Sequence, residues 1–172
     1  MSDGSPLPNL RQVFDEHGRY IWRALRHLGV ADADVEDVVQ EVFLTAHRKL
    51  PEFEGRSTLR TWLYGICLRQ ASDYRRRAYV RKERPYDEPP EAAEPTSSSA
   101  QTLSDSRRLL RTLLSQLDED KREVVVLYEL EGFTMKEVAE IVGCPLQTAY
   151  SRLHAGRERL AAFAAKASEG AA

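Results

Sequence analysis

The sequence predicts an all-α protein: two small helical domains joined by a flexible linker, the C-terminal one a helix-turn-helix. Three observations predict it. Apolar residues recur at three- and four-residue spacings in both halves of the chain, and no segment sustains the two-residue alternation of a half-buried strand. The stretch PYDEPPEAAEPTSSSAQ, positions 85–101, is rich in Pro, Glu, Ser and Ala and almost free of apolar bulk, so it cannot bury enough surface to fold. Near the C-terminus, Gly143-Cys144-Pro145 interrupts a helical pattern that resumes at once.

In the first half, Leu10, Val13, Phe14, Ile21, Ala24, Leu25 and Leu28 form one amphipathic stripe, closed by Gly29. Val35, Val38, Val39, Val42, Phe43 and Ala46 form a second, with Asp32 or Asp34 available as N-cap. Ser57 or Thr58 opens a third helix carrying Leu59, Trp62, Leu63, Ile66 and Cys67. Its end runs into Asp73-Tyr74-Arg75-Arg76-Arg77, where positive charge suits the negative helix terminus. These elements make a helical bundle over 8–78.

Residues 79–104 read as a flexible, partly extended tether. At up to about 3.3 Å per residue it spans roughly 85 Å, more than two turns of B-DNA at about 34 Å each.

The second half, 105–166, opens on a helix with Asp118 as N-cap, carrying Val124, Val125 and Leu127. Thr134-Met135-Lys136-Glu137 has the form of a capping box, with Phe133 and Val138 placed as a hydrophobic staple. Val138, Ala139, Ile141 and Val142 give the buried side of a short helix. Gly143 suits the left-handed residue that ends it, and Pro145 suits the first turn of the next. Ala149, Leu153, Gly156 and Leu160 then make a narrow apolar seam, and Ala139 and Gly143 are small where two helices must approach closely. Two helices joined by about three residues, the second the longer, have the layout of a helix-turn-helix. The open face of that second helix carries Gln147, Thr148, Tyr150, Ser151, Arg152, His154 and Arg157. Amides and guanidinium groups pair bidentately with base edges in a major groove, and hydroxyls hold phosphates. A polar outer face is also what any surface helix shows.

The chain has 172 residues and a net charge of -2, so bulk charge does not point to nucleic acid. Its distribution does. Arg69, Arg75, Arg76, Arg77, Arg81, Lys82 and Arg84 stand against only Asp73 and Glu83, and the following stretch from Pro85 to Asp105 holds acidic residues with no Lys or Arg. Cys67 and Cys144 lie far apart within apolar helix patterns and read as small buried hydrophobes, without a disulfide framework. No apolar run approaches a membrane span, and the N-terminus lacks the apolar core of a signal peptide, so the expected location is cytoplasmic, with no membrane insertion. His17, His27, His47 and His154 are scattered over separate helices. With no metal-ligand spacing, no Gly-rich phosphate loop and no nucleophile–base signature, no metal, no cofactor and no catalytic residue are expected.

DVEDVVQEVFLTAHRKL, then FEGRSTLRTWLYGI and DYRRR, a tether, and LDEDKREVVVLYELEGFTMKEVAEIVGCPLQTAYSRLHAGRERL together resemble an extracytoplasmic-function sigma factor of bacterial RNA polymerase. The resemblance covers both halves, with several motifs agreeing in order and spacing, and corresponds to regions 2 and 4 of that family. It implies a promoter-specificity subunit that binds core RNA polymerase and has no catalysis of its own. The helix from Val35 to Leu50 matches the part of region 2 that docks on the clamp helices of the largest subunit. Asp37, Gln40, Glu41 and Arg48 lie opposite the valine face, and two carboxylates one turn apart suit a basic partner helix.

The resemblance also assigns recognition and melting of the -10 element to the first domain. Phe53 is a wedge or pocket wall for an unstacked base, with Arg56, Ser57, Thr58 and Arg60 on phosphates, while Trp62 belongs first to the core. Arg69, Asp73, Arg75, Arg76 and Arg77 occupy the helix that would lie against duplex or splayed strand. Members of the family often carry Asn where this chain has Arg69.

In the second domain the resemblance places the helix from Leu146 onward in the major groove of the -35 element. Tyr150, Ser151, Arg152 and His154 fall at base-contacting positions, and Arg122 and Arg157 at phosphates. Tyr150 and Ala155 stand where relatives often carry basic residues, which implies a shallower salt dependence for this domain. The implied partners are core polymerase, through the clamp helices and the flap of the second-largest subunit, promoter DNA, and an anti-sigma factor. The rival reading is an autonomous helix-turn-helix regulator, which would give a tight, polymerase-independent footprint on a two-fold site.

Overall fold

The computed structural model describes residues 9–82 and 98–169. Its described residues form seven α-helices and two short variant turns, with no strand. Three helices make the first lobe: α1 (Leu10–His27), α2 (Val35–Lys49) and α3 (Leu59–Lys82). Asn9 caps α1 in a reciprocal capping box with Gln12. The stripes dock as the periodicity requires. Val35, Val38, Val39, Val42, Phe43 and Ala46 of α2 are all buried, facing Ile21, Ala24 and Leu25 of α1 and Leu63, Ile66 and Cys67 of α3. Phe14 departs from the expectation. It is 49% exposed, lying at the rim of the α1–α2 contact with its ring 4.9 Å from that of Phe43.

Of the two aspartates proposed to cap α2, neither does so by its side chain. Asp34 holds the N-cap position without a cap bond, its carboxylate instead accepting from the Tyr74 hydroxyl at 2.6 Å. Asp32 accepts from Arg26 at 2.5 Å. Thr58 does open α3, its hydroxyl accepting from the Thr61 amide at 3.1 Å.

The second lobe comprises α4 (Ser98–Ser115), α5 (Glu119–Val125), α6 (Met135–Val142) and α7 (Leu146–Glu169). The helices overrun the expected tether at both ends: 79–82 continue α3 and 98–104 begin α4, while 83–97 lie outside the described residues. Asp118 caps α5 through the Lys121 amide, and Thr134 and Glu137 form the expected capping box. After Val125 the helix widens into a π-helical turn, Val126–Leu130. Such a turn inserts a residue and so rotates the chain that follows it.

Two glycines of this lobe, Gly143 at the turn and Gly156 within α7, play different parts. Gly143 takes a left-handed φ of 69°, but a Cβ on it would meet nothing within 4 Å, so backbone conformation and not close approach explains it. The close approach belongs to Gly156. A Cβ there would lie 2.8 Å from the Val125 Cγ2 atom, because α7 crosses α5 at that point. Gly156→Ala is therefore expected to force the two helices apart and to lower the stability of this lobe by about 1–2 kcal/mol, read as a lower urea midpoint with an unchanged slope.

The lobes do not stand apart. One apolar cluster includes Val13, Leu28 and Leu63 of the first and Leu114, Val124 and Phe133 of the second. Cys67 lies buried within it, Cys144 is partly buried, and neither forms a disulfide. Burial pushes the Cys67 thiol well above its ordinary range.

Candidate nucleic-acid and polymerase interfaces

Three surfaces carry the residues singled out from sequence. The first is the outer ridge of α2. Asp37, Gln40 and Arg48 are exposed there and Glu41 is half-exposed. They do not share one hollow. Asp37 and Glu41 border a groove of about 1010 Å³ between α2 and the end of α3, also lined by Tyr74, Arg76 and Arg77. Gln40 borders a separate groove against α1, beside Phe14 and Trp22. Glu41 pairs with Arg77 at 3.1 Å, so an acid assigned to polymerase docking touches a base assigned to DNA.

The second surface runs from the loop before α3 along that helix. Phe53 follows a 3-10 turn, Leu50–Glu52, and its ring lies 5.2 Å from that of Trp62. Trp62 thus packs on the core and backs Phe53 at once. Arg56 is exposed and pairs with its neighbour Glu54 at 2.5 Å. Ser57 is half-buried, and its hydroxyl donates to the Thr58 carbonyl at 3.4 Å. Thr58 is occupied by the helix cap. Arg69, Asp73, Arg76 and Arg77 fall at spacings that put them on one side of α3, with Asp73 and Arg76 paired.

Arg60 and Arg75, expected beside these as DNA contacts, face the second lobe instead. Arg60 donates to the main-chain carbonyl of Glu131, and its guanidinium lies 3.9 Å from the centre of the Phe133 ring. Arg75 donates to the Leu28 carbonyl and pairs with Glu119 at 2.5 Å and Glu123 at 3.3 Å.

Arg122 differs likewise from the phosphate role expected of it. It is half-buried and donates to the Leu114 and Leu117 carbonyls, both at 2.9 Å, so its charge satisfies carbonyls at and just beyond the C-terminus of α4. Burial lowers its affinity for the proton despite three nearby carboxylates.

The third surface is the open face of α7. Gln147, Tyr150, Ser151 and His154 are exposed and Thr148 half-buried. The Ser151 hydroxyl donates back to the Gln147 carbonyl at 3.0 Å, and His154 sits 3.4 Å from Glu158. Arg152 reaches across to Asp120 on α5 at 2.6 Å. Arg157 pairs with Glu129 at 2.6 Å and lies over the Tyr128 ring.

Sequence reasoning missed the residue that joins the lobes. The side chain of Glu131, just past the π-helical turn, is completely buried. Its carboxylate accepts from Arg23 at 2.9 and 3.3 Å and from the Tyr64 hydroxyl at 2.7 Å. Burial by itself would push this carboxyl up; the donors turned toward it from His27, Arg23 and Tyr64 prevail and hold it at about 2. His27 Nδ1, at 3.9 Å, lies beyond direct hydrogen-bonding distance and has no hydrogen-bond partner among the described residues. Arg23 and Tyr64 therefore make the bonds. The Phe133 ring meets the Tyr64 ring edge-on at 4.8 Å, 71° apart, and Arg111 of α4 reaches Asp32 at 2.7 Å.

Glu123 behaves oppositely to Glu131. Burial pushes its carboxyl up to about 7, with Glu119 and Asp120 adding to the rise and Arg75 opposing it. A carboxyl raised in the folded state stabilises while protonated. The contribution is complete below the unfolded value of about 4.3 and is lost as pH rises through 7. Melting temperature should fall between pH 5 and 8, and Glu123→Gln should flatten that part of the profile relative to the parent chain. Equal slopes would exclude Glu123 as the titrating group.

Among the described residues no cluster of His, Cys, Asp or Glu could hold a metal ion, and no helix is long and apolar enough to cross a membrane.

Both lobes match known proteins. Residues 13–80 match the model of Sigma-70 region 2 and residues 107–160 that of Sigma-70 region 4. The ECF RNA polymerase sigma-E factor of Haemophilus influenzae is 33% identical over 144 residues, covering 76% of this chain and 75% of the relative. The sigma-E factor of Escherichia coli K12 is also 33% identical over 144 residues, covering 76% and 74%. Among solved structures, CnrH in complex with the cytosolic domain of CnrY superposes with a TM-score of 0.71 at 25% identity, covering 91% of this chain and 88% of that one. The sigma factor RpoE in complex with the anti-sigma factor NepR from Bartonella quintana gives 0.68 at 27%, covering 87% and 92%. The chain belongs to the extracytoplasmic-function sigma factors: it is a promoter-recognition subunit that works with RNA polymerase and has no catalysis of its own.

Proposed function

We propose that the three surfaces divide the work of promoter selection. The α2 ridge with Asp37, Gln40, Glu41 and Arg48 docks on the clamp helices of core polymerase. The first lobe, 8–78, captures the -10 element through Phe53 and the basic side of α3. The second, 105–166, grips the -35 duplex by α7 and meets the flap, and 79–104 joins them. The observation that carries this reading is the face of α7: Gln147, Tyr150, Ser151 and His154 stand open to solvent on a helix whose seam is packed against α5 and α6. Donors and acceptors left open in this way support contact with base edges in a major groove.

Phe53 and Trp62 supply the stacking half of melting. An aromatic already backed by a second ring loses little freedom when a base stacks on it, and such stacking is worth about 1–3 kcal/mol per base. A role alongside RNA polymerase supports a cytoplasmic location. An anti-sigma factor is a fitting regulator, since the solved relative RpoE is bound by NepR. Run-off transcription with core polymerase on a randomised promoter library tests the reading. The selected templates should share two elements at a fixed spacing; core enzyme showing no start-site choice with any template would overturn it.

A further inference from the structure

We infer that Gln147 is a specificity-determining residue that selects an adenine in the -35 element, so that the base beneath it is read by an amide and not by a cation. The inference rests on the proposed reading of α7 as the helix that enters that duplex. Its first support is position. The Pro145 carbonyl accepts from the Ala149 amide at 3.1 Å, which makes Pro145 the N-cap of α7 and Gln147 its second helical residue. The N-terminal residues of a recognition helix are the ones that reach base edges. Ala149 is completely buried in the packed seam, and Gln147, two residues earlier and so about 200° away around the helix, is exposed.

The second support is freedom to pair. Gln147, Ser151 and His154 recur at four- and three-residue spacings and form one outward stripe of α7. Arg152 and Arg157 stand to either side of that stripe, each engaged by a carboxylate, Asp120 and Glu129, at 2.6 Å. His154 lies beside Glu158 at 3.4 Å, and the Ser151 hydroxyl donates to the Gln147 main-chain carbonyl at 3.0 Å. The Gln147 side chain has no hydrogen-bond partner among the described residues. Its carboxamide therefore meets a base with donor and acceptor both uncommitted.

The chemistry of the carboxamide then chooses the base. One acceptor beside one donor complements adenine in the major groove, where the N6 amino group donates and N7 accepts. Guanine shows two acceptors on the same edge, O6 and N7, and calls for the paired donors of arginine or lysine. Opposite guanine the Gln147 oxygen would face O6, acceptor against acceptor. Thymine and cytosine each pair with only half of the amide, and a polar group shut away from water unpaired is costly.

The test uses holoenzyme assembled from the full chain and core polymerase, in competition binding against every single-base change in the -35 element. The parent should favour adenine over guanine at one position by about 5- to 150-fold. Gln147→Ala should flatten that position alone, and Gln147→Arg should turn it toward guanine. Both variants should keep the parent's melting temperature, because the side chain they replace is exposed. Exchanging that adenine for 7-deazaadenine, which puts carbon in place of N7 and keeps the base pair, tests the contact itself. The parent should lose affinity on the altered promoter, and Gln147→Ala should lose nothing further. Base preferences untouched by either substitution, a uniform loss at every position, or equal sensitivity of parent and alanine variant to the altered base would overturn the assignment while leaving α7 in the groove. A parent holoenzyme with no base preference anywhere in the -35 region would overturn the reading of α7, and this assignment with it.

Discussion

Reversing Asp37 and Glu41 together to lysine is expected to abolish binding to core polymerase, a loss of at least about a hundredfold, while the chain stays folded. Like charges brought together across an interface cost several kcal/mol, and two reversals one turn apart on the same ridge put both in the contact. The fold has little stake in either group. Asp37 is exposed, and the Glu41–Arg77 pair is solvent-accessible at both ends, with side chains 42% and 56% exposed. Pairs of that kind contribute roughly 0–1 kcal/mol. A lysine in place of Glu41 would stand beside Arg77, and water and salt screen that repulsion. Titration of labelled protein with core enzyme, at fixed ionic strength, measures the loss, and thermal melting verifies the fold. Gln40→Ala, on the α1 side of the ridge near Phe14 and Trp22, should cost much less because no repulsion replaces what is removed. Undiminished binding by the double reversal would place the docking face elsewhere.

How much of this was readable in the sequence follows the range of the forces involved. Features fixed within a turn or two were legible: Asp118 and Thr134 cap their helices, Gly143 turns left-handed, and all six α2 residues expected in the core are buried. Phe14 satisfies the helical period yet lies exposed, because a period gives an angle around the helix and says nothing of where the neighbouring helix ends. The ends of the tether were drawn by composition, and helix propagates past a composition boundary when no Pro or Gly stops it. The seam was illegible for a stronger reason. Arg23 and Glu131 are 108 positions apart, and Tyr64 and Glu131 are 67 apart, so no local pattern marks Glu131 as different from Glu129, which sits near the surface with Arg157. Its position beside a glycine after a run of apolar residues was the only hint, and any helix end shows as much. The arginines show the same limit. Arg60, Arg75 and Arg122 look in sequence like the others of the basic set, and only tertiary packing separates those turned inward from Arg69 and Arg76.

Arg152→Ala is expected to weaken binding at the -35 duplex by roughly 1–3 kcal/mol and to relax the preference at one base position, a drop of about 5- to 150-fold. The structure offers Arg152 two roles, and the experiment has to part them. Its guanidinium reaches Asp120 on α5 at 2.6 Å with its side chain 26% exposed, so it could simply brace α7 against α5. A brace of this type is weak, because Asp120 is 61% exposed and the pair competes with water. If bracing were the whole role, Asp120→Ala and Arg152→Ala would lower stability by the same small amount and leave base preference intact. If Arg152 reads a base, the two variants separate: Asp120→Ala leaves affinity unchanged or raises it by freeing the guanidinium, and Arg152→Ala lowers it. The salt dependence supplies a third discriminator. A lost phosphate contact weakens every sequence alike and reduces the salt slope by about one, whereas a lost base contact acts on the cognate site alone. Competition binding of both variants against single-base substitutions, at two salt concentrations, yields all three readouts, and equal losses on every sequence would reassign Arg152 to the backbone.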